Sequence, residues 1–261
     1  MRPQHRRTVE RLIERFENDP NYPALLVGGS IARGWERDDS DVDIILLASD
    51  EEYARREPAR AFHYYTTELS DYPGGYVDGK VVNSAFLDEV AERGSEPARA
   101  AFVGVLVAYS RDPELEALLA RMTFYPEAER PDKMRSFYAQ VQALQWYMGE
   151  ADKRGDRYLA THVAADLALY GGRLILAHNR VLYPYHKWFT TVLREIKDRP
   201  ANFMERMEAL LTAPCKKTAD AFCESVLGFT QWETPPEGWP TRFMQDSEWA
   251  WRTGKPPLAD W

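Results

Sequence analysis

Only two of the 261 residues are cysteines, Cys215 and Cys223. Lying eight apart and outside any CxxC pattern, they offer neither a disulfide framework nor a thiolate metal site. They read as buried apolar residues of a helix, and a reducing cytoplasm is the expected setting. Long apolar runs are also missing, for none approaches the roughly 20 residues that a membrane helix needs. The opening "MRPQHRRTVERLIERF" passes straight into a charged amphipathic pattern, without the apolar core of a signal peptide. The expectation is a chain that is neither exported nor membrane-spanning. Positive charge is in deficit, with 33 Lys and Arg against 41 Asp and Glu, a formal charge of −8 and a pI near 5.3. Such a surface has no broad footprint for DNA or RNA, so a polyanion must be met at a local site, and a small or metal-bound ligand is favoured. His5, His63 and His178 lack acidic or cysteine partners at metal-ligand spacing and read as structural.

What is present is enough apolar material, 44% of the chain with 13% aromatic, for a substantial core. Val9, Leu12, Ile13 and Phe16 recur at helical spacing and stop at "ENDPNYP". Five strands follow: "ALLVGG", "DVDIILLAS", "RAFHYYTTEL", "GKVVNSAFL" after the Gly74-Gly75 turn, and "GVLVAYS". One helix, "LDEVAERGSEPARAAF", falls between the last two, and "PELEALLARM" closes the region. From Met134 to Leu227 nearly every stretch has helical period, broken at Gly155-Asp156, Tyr183-Pro184, Arg199-Pro200 and Pro214, which is the pattern of a helical bundle. Residues 231–261 hold five prolines and five of the 8 tryptophans. They read as a tail that packs on the surface through its indoles rather than as regular structure. The chain divides into an α/β part over 1–125, a helical bundle over 126–230 and the tail, an α+β organisation with a small mixed sheet first.

The stretch "LLVGGSIARGWERDDSDVDIILL" carries chemistry. Side chains alternate along a strand, so Asp41 and Asp43 share one face, about 6 to 7 Å apart, while Val42 and Ile44 face the core. Unpaired, the two carboxylates repel one another, and a hard divalent cation such as Mg²⁺ removes the conflict. Glycines in the Gly28-Gly29-Ser30 turn let backbone N–H groups and the serine hydroxyl approach phosphate oxygens. Phosphates on a turn beside a metal on the next strand is the arrangement that phosphoryl and nucleotidyl transfer require.

These residues resemble the signature of the nucleotidyltransferase superfamily, which includes DNA polymerase beta and the antibiotic nucleotidyltransferases. Gly29, Ser30, Asp41 and Asp43 stand where that signature has them. The resemblance implies that Asp41 and Asp43 bind Mg²⁺, that Gly29 and Ser30 bind the nucleoside triphosphate, and that attack on the α-phosphate releases pyrophosphate. An α/β domain followed by a helical bundle is similar to the aminoglycoside and streptomycin adenylyltransferases, and "NRVLYPYHKWF" looks like part of their helical domain. That likeness implies AMP transfer from ATP to a hydroxyl of a small acceptor held between the domains, an aminoglycoside-like compound being one such acceptor. A homodimer is compatible with it.

The family has a third carboxylate on a neighbouring strand. Drawn as a strand, "GKVVNSAFL" has Asn83 and Ala85 at the inward positions, with Asp78 and Asp88 only at its edges. Either Asp78 or Asp88 reaches the site, or the strand register differs, or transfer has been lost and the chain is a nucleotide-binding, antitoxin-like regulatory module. Asp166, in an apolar helical run, is a candidate base, its alternative being a partner for His162 or Arg173. Glu150 and Asp152 are further candidates. Lys187 and His186 read either as triphosphate contacts or as a solvated helix start. Arg33 reads equally as a phosphate contact or as a partner of Glu36 or Asp39.

Overall fold

The computed structural model describes residues 1–254, which belong to two compact units, one over Met1–Phe124 and one beginning at Tyr125. The fold class is α+β, and among the described residues strands occur only in the first unit.

In the first unit the spacing of Val9, Leu12 and Phe16 turns one face of α1 (Pro3–Phe16) inward. It covers a sheet made of β1 (Ala24–Val27), β2 (Val42–Leu47), β3 (His63–Thr66), β4 (Val77–Val82) and β5 (Leu106–Ser110), in the order β3-β4-β2-β1-β5. Only β2 and β4 run parallel. Period-two alternation sorts the central strands. Val42, Ile44 and Leu46 pack with α1 on one face. Ile45 and Leu47 join Leu87, Phe102 and Leu118 on the other, beneath α4 (Ser84–Arg93), α5 (Glu96–Ala100) and α6 (Leu115–Thr123). The two short helices of the sheet's first half are α2 (Gly29–Arg33) and α3 (Asp50–Arg56).

Three elements differ from expectation. The strand drawn through "GKVVNSAFL" ends at Val82, because the Asn83 side chain accepts the Phe86 N–H at 3.0 Å and caps α4. The single helix over "LDEVAERGSEPARAAF" is two, since Ser95 caps a new start with Pro97 in its first turn. Between β2 and β3 lies α3, a helix too short to show an apolar period, which Ser49 caps, with acids in its first turn and arginines in its last.

In the second unit α7 (Arg130–Arg154) and α8 (Arg157–His178), joined only by Gly155-Asp156, pack as a hairpin, with α9 (His186–Glu195), α10 (Phe203–Thr212) and α11 (Lys216–Leu227) around them. Gly171 and Gly172 sit within α8 because their neighbours need the space. A methyl group at Gly171 would lie 2.7 Å from the Phe222 ring, and one at Gly172 2.3 Å from that of Phe189. The tail departs from expectation as well, for Trp239–Asp246 form a helix, α12. Pro240 stands in its first turn, where the missing N–H costs nothing. Arg242 ties α12 to α7 by two hydrogen bonds to Asp132, at 2.7 and 2.9 Å. Of the tail's indoles, Trp232 is buried and donates to the Val226 carbonyl, whereas Trp249 and Trp251 are exposed, and the tail's last part, 255–261 with Trp261, lies outside the described residues. Among the described residues no helix is long and apolar enough to cross a membrane.

Gly171→Ala is expected to destabilise the protein by roughly 1–3 kcal/mol in urea unfolding, because overpacking against the fully buried Phe222 outweighs the gain of about 1 kcal/mol in helix propensity. A second expectation concerns acid. Arg7 and Arg11 hold the Asp71 carboxyl down at about 2, joining α1 to the segment before β4. A carboxyl depressed in the folded state contributes stability above its unfolded value of about 3.9, which is lost as pH falls toward 2. Stability measured between pH 5 and pH 2 should therefore fall less steeply in Asp71→Asn than in the parent.

Candidate metal centre

The end of β1 and the start of β2 are held together by the Gly28 N–H, which donates to the Asp43 carbonyl at 2.9 Å. Gly29 follows with φ of +59°, a left-handed conformation that side chains resist. Space forbids a side chain too, since a Cβ on Gly29 would stand 1.7 Å from Asp43 Oδ2. The glycine therefore lets the carboxylate lie against the turn. Ser30 is buried at the start of α2.

Asp41 immediately precedes β2 and Asp43 lies within it, on the face opposite Val42 and Ile44. In the parallel ladder, Asp43 stands opposite Asp78 of β4. Asp41, Asp43 and Asp78 each bring an oxygen into one group whose members all lie within 4.8 Å of one another. The third carboxylate is thus Asp78. Asn83 and Ala85 have left the strand for α4, and Asp88 lies on α4 paired with Arg121 at 3.0 Å.

The edge strand β3 completes the surroundings. His63 Nε2 lies 2.6 Å from Asp78 Oδ1, which corrects the reading of His63 as a histidine without an acidic partner. His178 likewise meets Asp198, at 2.8 Å. Neither pairing is visible in sequence spacing, because 15 and 20 residues separate the partners. The Tyr65 ring, largely exposed, lies 5.6 Å from that of Tyr76. The charge of Asp41 and its hydrogen bond to the phenol, then desolvation, then the charges of Asp78 and Asp43, push Tyr76 above the ordinary tyrosine value. The negative field of the cluster therefore reaches neighbouring groups.

Three carboxylates at this separation form a donor set for a hard divalent cation of the Mg²⁺ type, which is held by few carboxylates and completes its shell with water or phosphate oxygens. The residues fit the group.

The other predicted residues have these places. Arg33 donates to the Ala100 carbonyl at 2.7 Å and lies over the Trp35 ring. Glu36 pairs with the N-terminal ammonium at 3.2 Å and Asp39 with Arg37 at 2.9 Å. Asp166 and Lys187 belong to the second unit. Asp166 is half-buried, with its carboxyl pushed up by burial against the opposing pull of His162 and His186, and it meets His162 Nε2 at 3.4 Å. Arg173 lies between the rings of Phe137 and Tyr183, 4.5 and 4.4 Å from their centres. Lys187 is exposed, over the Trp188 ring. Glu150 pairs with Lys153 and Arg154, and Asp152 accepts the Lys216 N–H at the start of α11.

The chain is similar to a nucleotidyltransferase-like protein. That protein, from Exiguobacterium sibiricum, has a solved structure that shares 11% identity, with a TM-score of 0.47 over 95% of this chain and 79% of that one. A family described as a domain of unknown function, DUF4037, matches residues 100–189. No curated protein matches.

Gly29→Ala is expected to displace the Asp43 carboxylate and weaken Mn²⁺ binding, followed by paramagnetic resonance of the free ion, by tenfold or more (about 1.4 kcal/mol). Gly28→Ala is the control, because nothing lies within 4 Å of a Cβ placed there. Equal affinity in the two variants would remove the role given to Gly29.

Proposed function

We propose that the chain is a Mg²⁺-dependent nucleotidyltransferase that moves AMP from ATP to a hydroxyl of a small acceptor. The observation that carries this reading is the convergence of Asp41, Asp43 and Asp78 beside the Gly28-Gly29-Ser30 turn. A glycine-lined turn next to a carboxylate cluster matches a triphosphate that arrives with its cation, and the signature resemblance over residues 25–47 points to the same chemistry. The alternative is a binding module that has lost transfer, and the position of Asp78 beside Asp43 favours transfer over it.

In this reading Asp41, Asp43 and Asp78 hold the cation and Gly29 keeps the Asp43 carboxylate against the turn. Backbone N–H groups of the turn receive phosphate oxygens. His63, hydrogen-bonded to Asp78, fixes the orientation of the third carboxylate, as partners of metal-binding groups commonly do. Bound Mg²⁺ supplies charge neutralisation on the phosphates and alignment of the attacking hydroxyl. Attack at the α-phosphorus forms the new phosphoester bond and breaks the α–β bridge, with pyrophosphate leaving and the hydroxyl proton passing to solvent or a base. The net charge of −8 favours cationic acceptors, so aminoglycosides belong in the acceptor panel.

Incubation with ATP labelled at the α-phosphate, Mg²⁺ and hydroxyl-bearing acceptors should yield labelled product and pyrophosphate. Asp41→Asn, Asp43→Asn and Asp78→Asn should each lower the rate by about 10²-fold or more, the several kcal/mol that metal catalysis supplies. Pyrophosphate release from no acceptor, or at an unchanged rate in all three variants, would sink the reading. Binding should also be visible without turnover. Mg²⁺ at 100 times its dissociation constant should stabilise the parent by about 2.7 kcal/mol. Asp43→Asn, which removes one of the three carboxylates, should gain less from adding the metal.

A further inference from the structure

We propose that the helical unit carries a binding site of its own for an organic cation, in a cavity bounded by α7, α8 and α12. The cavity has a volume of about 690 Å³, within the range of small-molecule sites and far beyond what a single ion fills. Its apolar walls come from four aromatic residues, Tyr147, Tyr170, Phe243 and Trp251, with Leu144 and Val163 buried beneath. Its charged lining is Asp166, Asp246 and Glu248 against one histidine, His162, and among the described residues the lining contains no lysine or arginine.

The charges facing this space decide the ligand's sign. Asp246 is matched by Arg242 at 2.8 Å, an arginine that also holds Asp132 and stands outside the lining. Asp166 is half-buried and has the exposed His162 as its neighbour at 3.4 Å. Glu248 adds a further carboxylate. An anion entering here would meet carboxylates with no Lys or Arg among the described lining residues to receive it, and a neutral ligand would leave Asp166 with its desolvation uncompensated. A cation gains twice, from the ring faces and from the carboxylates, which is the combination that recognises ammonium groups. The rings favour an alkylammonium or arylammonium body over a bare amine or a metal ion.

The site is built rather than incidental. Tyr147 and Phe243, from α7 and α12, face each other at 6.0 Å. Gln140 donates to the Ser247 hydroxyl at 2.9 Å, and the Arg242–Asp132 pair clamps α12 along α7, so the wall contributed by the tail is fixed before any ligand arrives. This inference does not depend on nucleotidyl transfer.

Calorimetric titration of the full chain in metal-free buffer with benzyltrimethylammonium, benzyl alcohol and benzoate tests it. The cation should bind one to one, about tenfold or more tighter than the alcohol, and benzoate should give no heat. Trp251→Ala and Glu248→Gln change exposed residues, so folding is preserved, and Trp251→Ala should weaken the cation by about fivefold. Asp166→Asn should weaken it further, with the unfolding midpoint recorded beside it. Asp41→Asn should leave this affinity unchanged while lowering any transferase activity by about 10²-fold or more, which separates failure of one proposal from failure of the other. Equal affinity for alcohol and cation, tighter binding of benzoate, or cation binding unaffected by both Trp251→Ala and Asp166→Asn would overturn the proposal.

Discussion

The register of the parallel pair β2–β4 is the constraint on which the candidate centre depends. Placing Asp43 opposite Asp78 brings carboxylates from strands 35 residues apart in sequence onto one face of the sheet. A slip of one residue would turn Asp78 to the face that carries Val77 and Val81 and would bring one of those apolar side chains to the acidic cluster. The register is secured by the apolar positions on either side. Val42, Val77, Ile44 and Val81 must all reach the core under α1. The acidic cluster is thus held in place by hydrophobic burial on the opposite face, since three carboxylates do not assemble through any attraction of their own.

The turn before β2 meets the same demand from the other side. At Gly29 two requirements coincide, a positive φ and an absent side chain, and each follows from the Asp43 carboxylate lying against the backbone. Around this centre the exposed side of β3 contributes His63 and Tyr65, while Tyr64 of the same strand packs on Phe16 at 5.6 Å. Alternation along a four-residue edge strand therefore divides "HYYT" into a part that faces the cluster and a part that faces the core.

The helical unit solves a different problem. Its core accepts two glycines within α8 so that Phe222 and Phe189 can come close, and it uses the tail helix as one wall of a cavity. Asp166 shows what burial does to a carboxyl there. Its carboxyl is raised by desolvation, and its nearest basic partner, His162, is itself mostly exposed. Lys187 and Arg173 both lie over aromatic rings, Lys187 over Trp188 and Arg173 over Phe137 and Tyr183.

Local pattern determined much of this protein. Alternating apolar residues, helical periodicity and turn residues marked the five strands and most of the helices, though not α3, α12 or the division between α4 and α5, and the spacing of Asp41 and Asp43 after a Gly-Gly-Ser turn marked the candidate centre. Such features are legible because each depends on neighbours a few residues away. What only the tertiary structure decided was pairing at long range: Asp78 beside Asp43, His63 on Asp78, the end of β4 at Val82, and α12 lying against α7. The cap at Asn83 had a local signal that an overlong strand obscured. The rest had none, because strand register is set by how whole faces bury together, and that is a property of the packed core rather than of any one segment.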